Sequence, residues 1–466
     1  MRPVKLIKSL MYMFLSSGFV LVISIGITLV LAKLLSPRDL GILMSAEAFV
    51  ELFIFIYTMG FRNSILKFTA NHPEGFHEGL NVAVGNALVI RTIVLIPFSL
   101  IPFFIAPVFI HDPKELFVSQ VYVLIYALSS FATVFGTARL ALGQFKLMSF
   151  LNVLDKLFRL VGIYVILTYF GGLILLVKIF LLEKIISLLI SSISTIKLIK
   201  PKVDFKSIPQ MFKDSISFGI MDSFDTVLDK IDRVMLNRMI GSVAVASYSI
   251  PAKFNRATKL IPQTITQVFL PKLHDSIVND YIGFKRSTKS LSRFLALAGS
   301  FVFIFIFYFA EVILYKLFAD KYSESIYIVK FFAFINLIWF LQKVPELVLT
   351  SQSAHWKRAL TLIMSIVLNI VLNFVFIRNY GLVGAVYGTI LSSSAKLILL
   401  VFYTYRYLEL FKIFAIIIVP LLLVYLFPYY YFIPFYIIYL FIAKLISKED
   451  FKKIFNAFKK RFQTAR

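Results

Sequence analysis

Residues 222–239 read DSFDTVLDKIDRVMLNRM, with aspartates at 222, 225, 229 and 232. Spacings of three, four and three place Asp222, Asp225, Asp229 and Asp232 within roughly 80° of one another on a helix, as one acidic stripe. The following stretch answers with PAKFNRATK, in which Lys253, Arg256 and Lys259 recur every third residue. For an antiparallel pair turning near residue 240, equal depth means residue numbers summing to about 480. That sets Asp222 near Lys259, Asp225 near Arg256 and Asp229 near Lys253. Two chemistries fit the pattern. One is a salt-bridge ladder joining two polar helices. The other is a wet chamber in which cations hold a pyrophosphate while a carboxylate among them takes up a proton or Na⁺. Arg offers paired N–H donors to phosphate, and Lys a point charge. Asp222 and Asp225 lie deepest by this count and are the candidates for ion coupling, with Asp229 beside them; Asp232 and Arg233, nearer the outer end, read as structural.

The first half of the chain adds Arg91 on a third helix, with Asp155, Lys156 and Arg159 on a fifth. Asp155 and Arg159 are an i,i+4 pair expected to neutralise each other, leaving Lys156 in surplus. Arg91 has no sequence-local acid and is the candidate contact for a charged headgroup, although Glu47 and Glu51 on the second helix are alternative partners. Arg62 falls just beyond that helix, where it serves either a cytoplasmic mouth or ordinary orientation of the chain. The candidate substrate-binding set is therefore Arg91, Lys156, Arg159, Lys253, Arg256, Lys259 and Arg62. Lys178, Glu183 and Lys184 carry no assignment at this stage.

The elements that must position these charges are membrane helices. The 466 residues are 59% hydrophobic and 16% aromatic, with a mean hydropathy of +0.87, too apolar for a soluble protein. Apolar stretches predict about fourteen helices, near 9–34, 40–60, 80–106, 116–141, 148–169, 173–197, 212–237, 243–270, 291–315, 325–350, 357–377, 382–405, 410–427 and 430–446. The first, from about Met11 to Leu35, is too long for a signal-peptide core and lacks a small-residue cleavage site, so it is expected to remain as helix one. Lys and Arg collect in the N-terminus and even-numbered loops, including Arg62, Lys67, Arg139, Lys146, Lys285, Arg286, Lys357 and Arg358. By the positive-inside rule both termini are cytoplasmic. The net charge of +25 then points to anionic lipid headgroups and not to nucleic acid. The tail EDFKKIFNAFKKRFQTAR is read as an amphipathic helix on the inner leaflet. There is no cysteine, and five scattered histidines give no metal-ligand pattern.

The chain also repeats. AKLLSPRDLGILMSAEAF at 32–49 lies without gaps on NRMIGSVAVASYSIPAKF at 237–254, an offset of 205. ILTYFGGLILL lies on VFIRNYGLVGA with Gly171 on Gly381, an offset of 210. Two matches at nearly one offset predict two six-helix bundles in parallel orientation, residues 1–200 and 201–407, followed by two further helices at 408–447 and the basic tail at 448–466.

DKIDRVMLNRMIGSVAVASYSIPAKF resembles the helix seven to eight signature of polysaccharide and oligosaccharide-lipid flippases in the multidrug/oligosaccharidyl-lipid/polysaccharide exporter superfamily. LAKLLSPRDLGILMSAEAF is similar to that family's first hairpin, and LNFVFIRNYGLVGAVYGTILSS to its helix eleven to twelve turn, so the likeness covers most of residues 10–405. The resemblance implies a cavity between lobes, alternating access, a plasma (inner) membrane location and a cargo of oligosaccharide on a polyprenyl pyrophosphate, moved from inner to outer leaflet. It also implies other polysaccharide-assembly proteins as partners. The aromatic stretch LLLVYLFPYYYFIPFYIIYLF would cradle an isoprenoid tail or simply face lipid. A multidrug cation exporter of the same superfamily is the alternative, but the four Asp between 222 and 259 are outnumbered by Lys230, Arg233, Arg238, Lys253, Arg256 and Lys259, which favours anionic cargo. A glycan polymerase or ligase needs a larger outer loop with acid–base residues than this chain offers. No catalytic residue and no cofactor beyond a coupling Na⁺ or H⁺ is expected, and no P-loop is present.

Overall fold

The computed structural model describes residues 3–318, 321–352 and 354–405, and beyond them residues 414, 417–418, 421 and 423–443. Every regular element among the described residues is helical. In order they are α1 (Pro3–Leu34), α2 (Pro37–Glu51), α3 (Ile54–Thr58), α4 (Phe61–Ala70), α5 (Phe76–Phe109), α6 (Pro113–Ala141), α7 (Phe145–Val165) and α8 (Leu173–Ile196). Then come α9 (Ile208–Met239), α10 (Ser242–Asn279), α11 (Tyr281–Phe305), α12 (Glu311–Phe318), α13 (Ser323–Ser351), α14 (His355–Thr404) and α15 (Tyr429–Ile442). Among the described residues, five helices are long and apolar enough to cross a membrane, or six when the pair spanning residues 37–70 counts as one bent span.

Short sequence signals start these helices. In SPRDL the Ser36 hydroxyl accepts from the Asp39 amide at 3.0 Å, and in DPKEL the Asp112 carboxylate accepts from Lys114 at 2.8 Å and Glu115 at 3.3 Å. Proline follows each cap, where its missing N–H costs nothing.

Predicted helix two is not continuous. It divides into α2 and α3, with a 66° bend at the break between Glu51 and Ile54, and a second interruption follows before α4, where Met59 and Gly60 are both left-handed, at φ 43° and 65°. Gly60 also meets Gly219 of α9 so closely that a Cβ would overlap its backbone. Predicted helices eleven and twelve form α14, broken at Gly381, where φ is 59° and ψ −136°. Gly171, its partner in the repeat, likewise takes φ 68° at the end of the fifth helix. Both copies turn on a glycine that no L side chain could replace without strain. Predicted helix thirteen falls largely outside the described residues, and the basic tail wholly so.

Contacts divide the chain into two compact units. The first comprises Met1–Phe254, Phe318–Ser325 and Ser365–Thr389; the second comprises Asn255–Leu317, Ile326–Met364 and Ile390–Arg466. The boundary does not fall at residue 200, and α9 is the reason. Although it opens the second repeat, it is bonded to the first along its length: Ser64 donates to the Met211 carbonyl at 3.0 Å, Lys67 pairs with Asp214 at 2.9 Å, and Asn237 donates to Glu115 at 2.7 Å. At its far end the start of α10 lies against Gly41, whose missing side chain makes room for the Ser242 backbone. The core at the other end gathers Phe61, Ile65, Leu80, Val84, Val134 and Met211.

Candidate functional site

The acidic stripe on α9 separates into members with different surroundings. Asp225 is exposed and Asp229 half-buried, while the side chain of Asp222 lies outside the described residues. Lys253 is half-buried on α10 in the same unit, and Arg256 and Lys259, also half-buried, belong to the second unit. There Lys259 sits 3.6 Å from the centre of the Trp339 ring, a cation–π contact.

Asp232 is the deeply buried member, at 3% exposure. Its carboxylate accepts from Tyr248 Oη at 2.6 Å, Asn373 Nδ2 at 2.6 Å and Thr389 Oγ1 at 2.8 Å. Asn373 Nδ2 also donates to Asn369 Oδ1 at 3.1 Å, and Asn373 Oδ1 is buried without a hydrogen-bond partner. Neutral donors, Tyr248, Asn373 and Thr389 among them, thus hold a carboxylate beside an orphaned amide oxygen. Carboxylate, amide and hydroxyl oxygens together make a donor set suited to a hard cation, and the orphaned acceptor gives such an ion, or a proton, something to satisfy. Among the described residues no three His, Cys, Asp or Glu side chains converge as a metal centre.

Arg91 is 2% exposed and turned inward. Nη1 donates to the Tyr57 carbonyl at 2.7 Å; Nη2 lies 3.3 Å from both the Thr58 carbonyl and Thr133 Oγ1, and the guanidinium stacks 4.7 Å from the Phe61 ring. These are carbonyls stranded where α3 ends at the left-handed pair Met59 and Gly60. Arg91 therefore caps a broken helix in this conformation, and the headgroup contact expected of it does not describe its place here. Its acceptors in the break are two backbone carbonyls and a hydroxyl. Glu51, which closes α2, forms an ion pair with Lys230 of α9 and accepts from Tyr126 Oη at 2.7 Å.

The fifth-helix charges also pair across helices. Arg159 donates to Glu183 of α8 at 2.9 Å and lies 4.6 Å from the Phe180 ring, while Lys184 approaches Asp155 at 3.5 Å and Glu183 at 3.3 Å. The expected Asp155–Arg159 neutralisation along one helix gives way to this interhelical set, because α7 packs beside α8 with Arg159 facing Glu183 and Asp155 facing Lys184. Lys156 is half-buried on the same helix. Arg62 is exposed. Sequence reasoning left Glu183 and Lys184 unassigned, though their adjacency on an apolar helix was itself a signal.

The second unit has its own buried acid. Glu346 on α13, 6% exposed, bonds Lys343 at 2.6 Å and Lys396 of α14 at 2.8 Å, with Gln342 donating to the Ser393 carbonyl at 2.7 Å beside them. Nothing in the sequence reading pointed to it. In the same unit Tyr308 donates to the Phe427 carbonyl at 2.7 Å, and the first turn of α15 presents Tyr429, Tyr430 and Tyr431 outward.

Comparison with known proteins places the whole. The family described as polysaccharide biosynthesis protein matches residues 6–276, more than half of the chain. No curated protein matches the sequence. Among solved structures, the chain is similar to lipid II flippase MurJ in an inward closed conformation, with a TM-score of 0.70 and 14% identity over 95% of this chain and 99% of that one. It is also similar to an inward-facing multidrug resistance MATE family transporter of the MOP superfamily, with a TM-score of 0.61 and 13% identity over 82% and 94% of the two chains. A MOP superfamily transporter from Pyrococcus furiosus gives 0.57 at 12% identity, over 86% and 96%. At these identities the structures establish the fold, an all-helical architecture of the MurJ and MATE kind. On the family match, this multi-pass membrane protein belongs to the polysaccharide biosynthesis protein family.

Proposed function

We propose that the protein is a flippase that carries a polyprenyl-pyrophosphate-linked oligosaccharide from the cytoplasmic to the outer leaflet of the plasma membrane by alternating access. Membership of the polysaccharide biosynthesis family is the observation that carries this reading. Lys156, Lys253, Arg256 and Lys259 are the side chains of the expected set whose partial exposure suits them to meet a pyrophosphate; Arg62, exposed, suits the entrance.

Coupling to Na⁺ or H⁺ belongs to the same proposal. Its carboxylate is better sought in Asp232 than in Asp225 or Asp229, because Asp232 is buried and its donors Tyr248, Asn373 and Thr389 are uncharged. Such a carboxylate keeps its hydrogen bonds while a proton or cation comes and goes, and the exchange changes the charge carried by that part of the helix bundle. The test is reconstitution of the full chain in liposomes with a lipid-linked oligosaccharide, scoring outer-leaflet exposure over time. Protein-dependent exposure above that of empty liposomes is expected, and its absence under every imposed Na⁺ or proton gradient would refute the assignment.

A further inference from the structure

Helix α7 is open on two opposite sides. Leu147, Phe150, Leu157, Phe158, Val161 and Tyr164 are all exposed and share one side, the apolar side that meets hydrocarbon. At about 100° per residue, Lys156 lies roughly 140° from the centre of that side and Asn152 roughly 180°. Yet Asn152 is exposed and Lys156 only half-buried, so the face turned away from lipid is open as well, and it is polar. Lys156 lies about 16 Å along the helix, near the middle of a hydrocarbon layer about 30 Å thick, too deep to reach the headgroups. The charges around it leave one over. Arg159 pairs with Glu183, and Lys184 with Asp155 and Glu183, which sets two bases against two acids. Lys156 makes no hydrogen bond or ion pair among the described residues, and neither does the Asn152 side chain. A surplus ammonium at this depth is unfavourable until an anion meets it. One turn along the same face, the Asn152 amide offers both a donor and an acceptor, the combination that suits a sugar hydroxyl.

We propose that Lys156 and Asn152 form a glycosyl-phosphate subsite, in which the ammonium takes the phosphate that bears the first sugar and the amide hydrogen-bonds that sugar's hydroxyls. This rests on the flippase reading and names the end of the cargo that the first unit holds. With the loop charges marking the cytoplasm, Asn152 lies on the cytoplasmic side of Lys156, the side on which the glycan of an inner-leaflet lipid lies. Arg159 continues the stripe beyond Lys156 but is held by Glu183 and the Phe180 ring, which leaves the ammonium as the contact.

Full-length protein in zwitterionic nanodiscs is titrated with the glucosyl, galactosyl and N-acetylglucosaminyl esters of farnesyl pyrophosphate, and binding is read calorimetrically. The methyl ester of farnesyl pyrophosphate supplies the same charge without a sugar, and farnesol is the uncharged control. At least one sugar ester should bind about tenfold more tightly than the methyl ester, equivalent to about 1.4 kcal/mol, and Asn152→Leu should erase that preference. Lys156→Gln should weaken every pyrophosphate by about tenfold or more, and Lys156→Arg should retain binding. Because Lys156→Gln removes an uncompensated charge, its unfolding temperature should equal or exceed that of the parent. A lowered temperature would mark a structural ammonium and overturn the inference. So would unchanged affinity in Lys156→Gln, or a sugar preference that is absent from the parent or survives in Asn152→Leu. In each of these cases the flippase reading stands while the parent prefers pyrophosphate to farnesol; no such preference in the parent overturns both. Phosphatidylglycerol in the nanodisc should not compete, since α7 turns its apolar side to the bilayer. Equal competition would make this a site for bilayer phosphate and reject the carrier as its ligand.

Discussion

Two buried carboxylates, one in each compact unit, are stabilised by opposite means. Asp232 is surrounded by the neutral donors Tyr248, Asn373 and Thr389, whereas Glu346 is clasped by the ammonium groups of Lys343 and Lys396. The difference is one of what each site can exchange. A carboxylate compensated by two cations is locked, because protonating it would leave buried positive charge without a partner. A carboxylate compensated only by dipoles can gain a proton or a cation and lose it again at smaller cost. Burial alone therefore does not mark an ion-coupling acid; the charge of its neighbours does.

The largest expected effect comes from breaking the locked site. Glu346→Gln should lower unfolding stability by about 3–5 kcal/mol, the usual loss when one member of a buried ion pair is removed. Thermal unfolding of the purified protein would show it, and adding Lys396→Met in the same chain, which returns the cluster to its parental net charge, should recover a large part. Recovery is the informative half, since a simple packing defect would not be repaired by a second change. Arg91→Lys should cost about 1–3 kcal/mol, because one ammonium cannot reproduce the forked donation to Tyr57 and Thr58. That loss should come with increased amide exchange confined to residues 52–61, which would distinguish a cap on the broken helix from a site for cargo.

A smaller effect is expected outside the membrane. The Arg38 guanidinium, at 2.8 Å, holds the Asp112 carboxyl below the usual carboxylate range, helped by the Lys114 and Glu115 amides. A depressed carboxyl stabilises the fold above its unfolded value, about 3.9, and that contribution fades as pH falls through its folded value. Asp112→Asn keeps the helix cap and removes only the charge. It should therefore change the melting temperature little at neutral pH, where an exposed pair is screened, and not at all once the parent carboxyl is protonated.

How far these sites could be read in the sequence depended on the distance over which their partners are drawn. The two glycines matched by the sequence offset, Gly171 and Gly381, both take positive φ. The α9 to α10 turn, expected near residue 240, falls between Met239 and Ser242. The i,i+4 rule, in contrast, sees one helix at a time, so it paired Arg159 with Asp155 and missed Glu183 on the neighbouring helix. The donors of Asp232 were not legible because Asn373 and Thr389 lie 141 and 157 residues away, in a segment whose one charge, Arg378, gives no hint of an acid's partner. Arg91 lacked a sequence-local acid because its acceptors are backbone carbonyls, which a sequence shows only when the helix break that exposes them is recognised.

The central claim is that Asp232 is the exchangeable acid of a lipid-linked-oligosaccharide flippase. Its most direct test is outer-leaflet exposure of that substrate in liposomes, measured for the parent and Asp232→Asn with and without an imposed Na⁺ or proton gradient. The account predicts that the gradient accelerates the parent by about tenfold, equivalent to about 1.4 kcal/mol of barrier, and leaves Asp232→Asn unaffected. An equal response to the gradient in both proteins would contradict it.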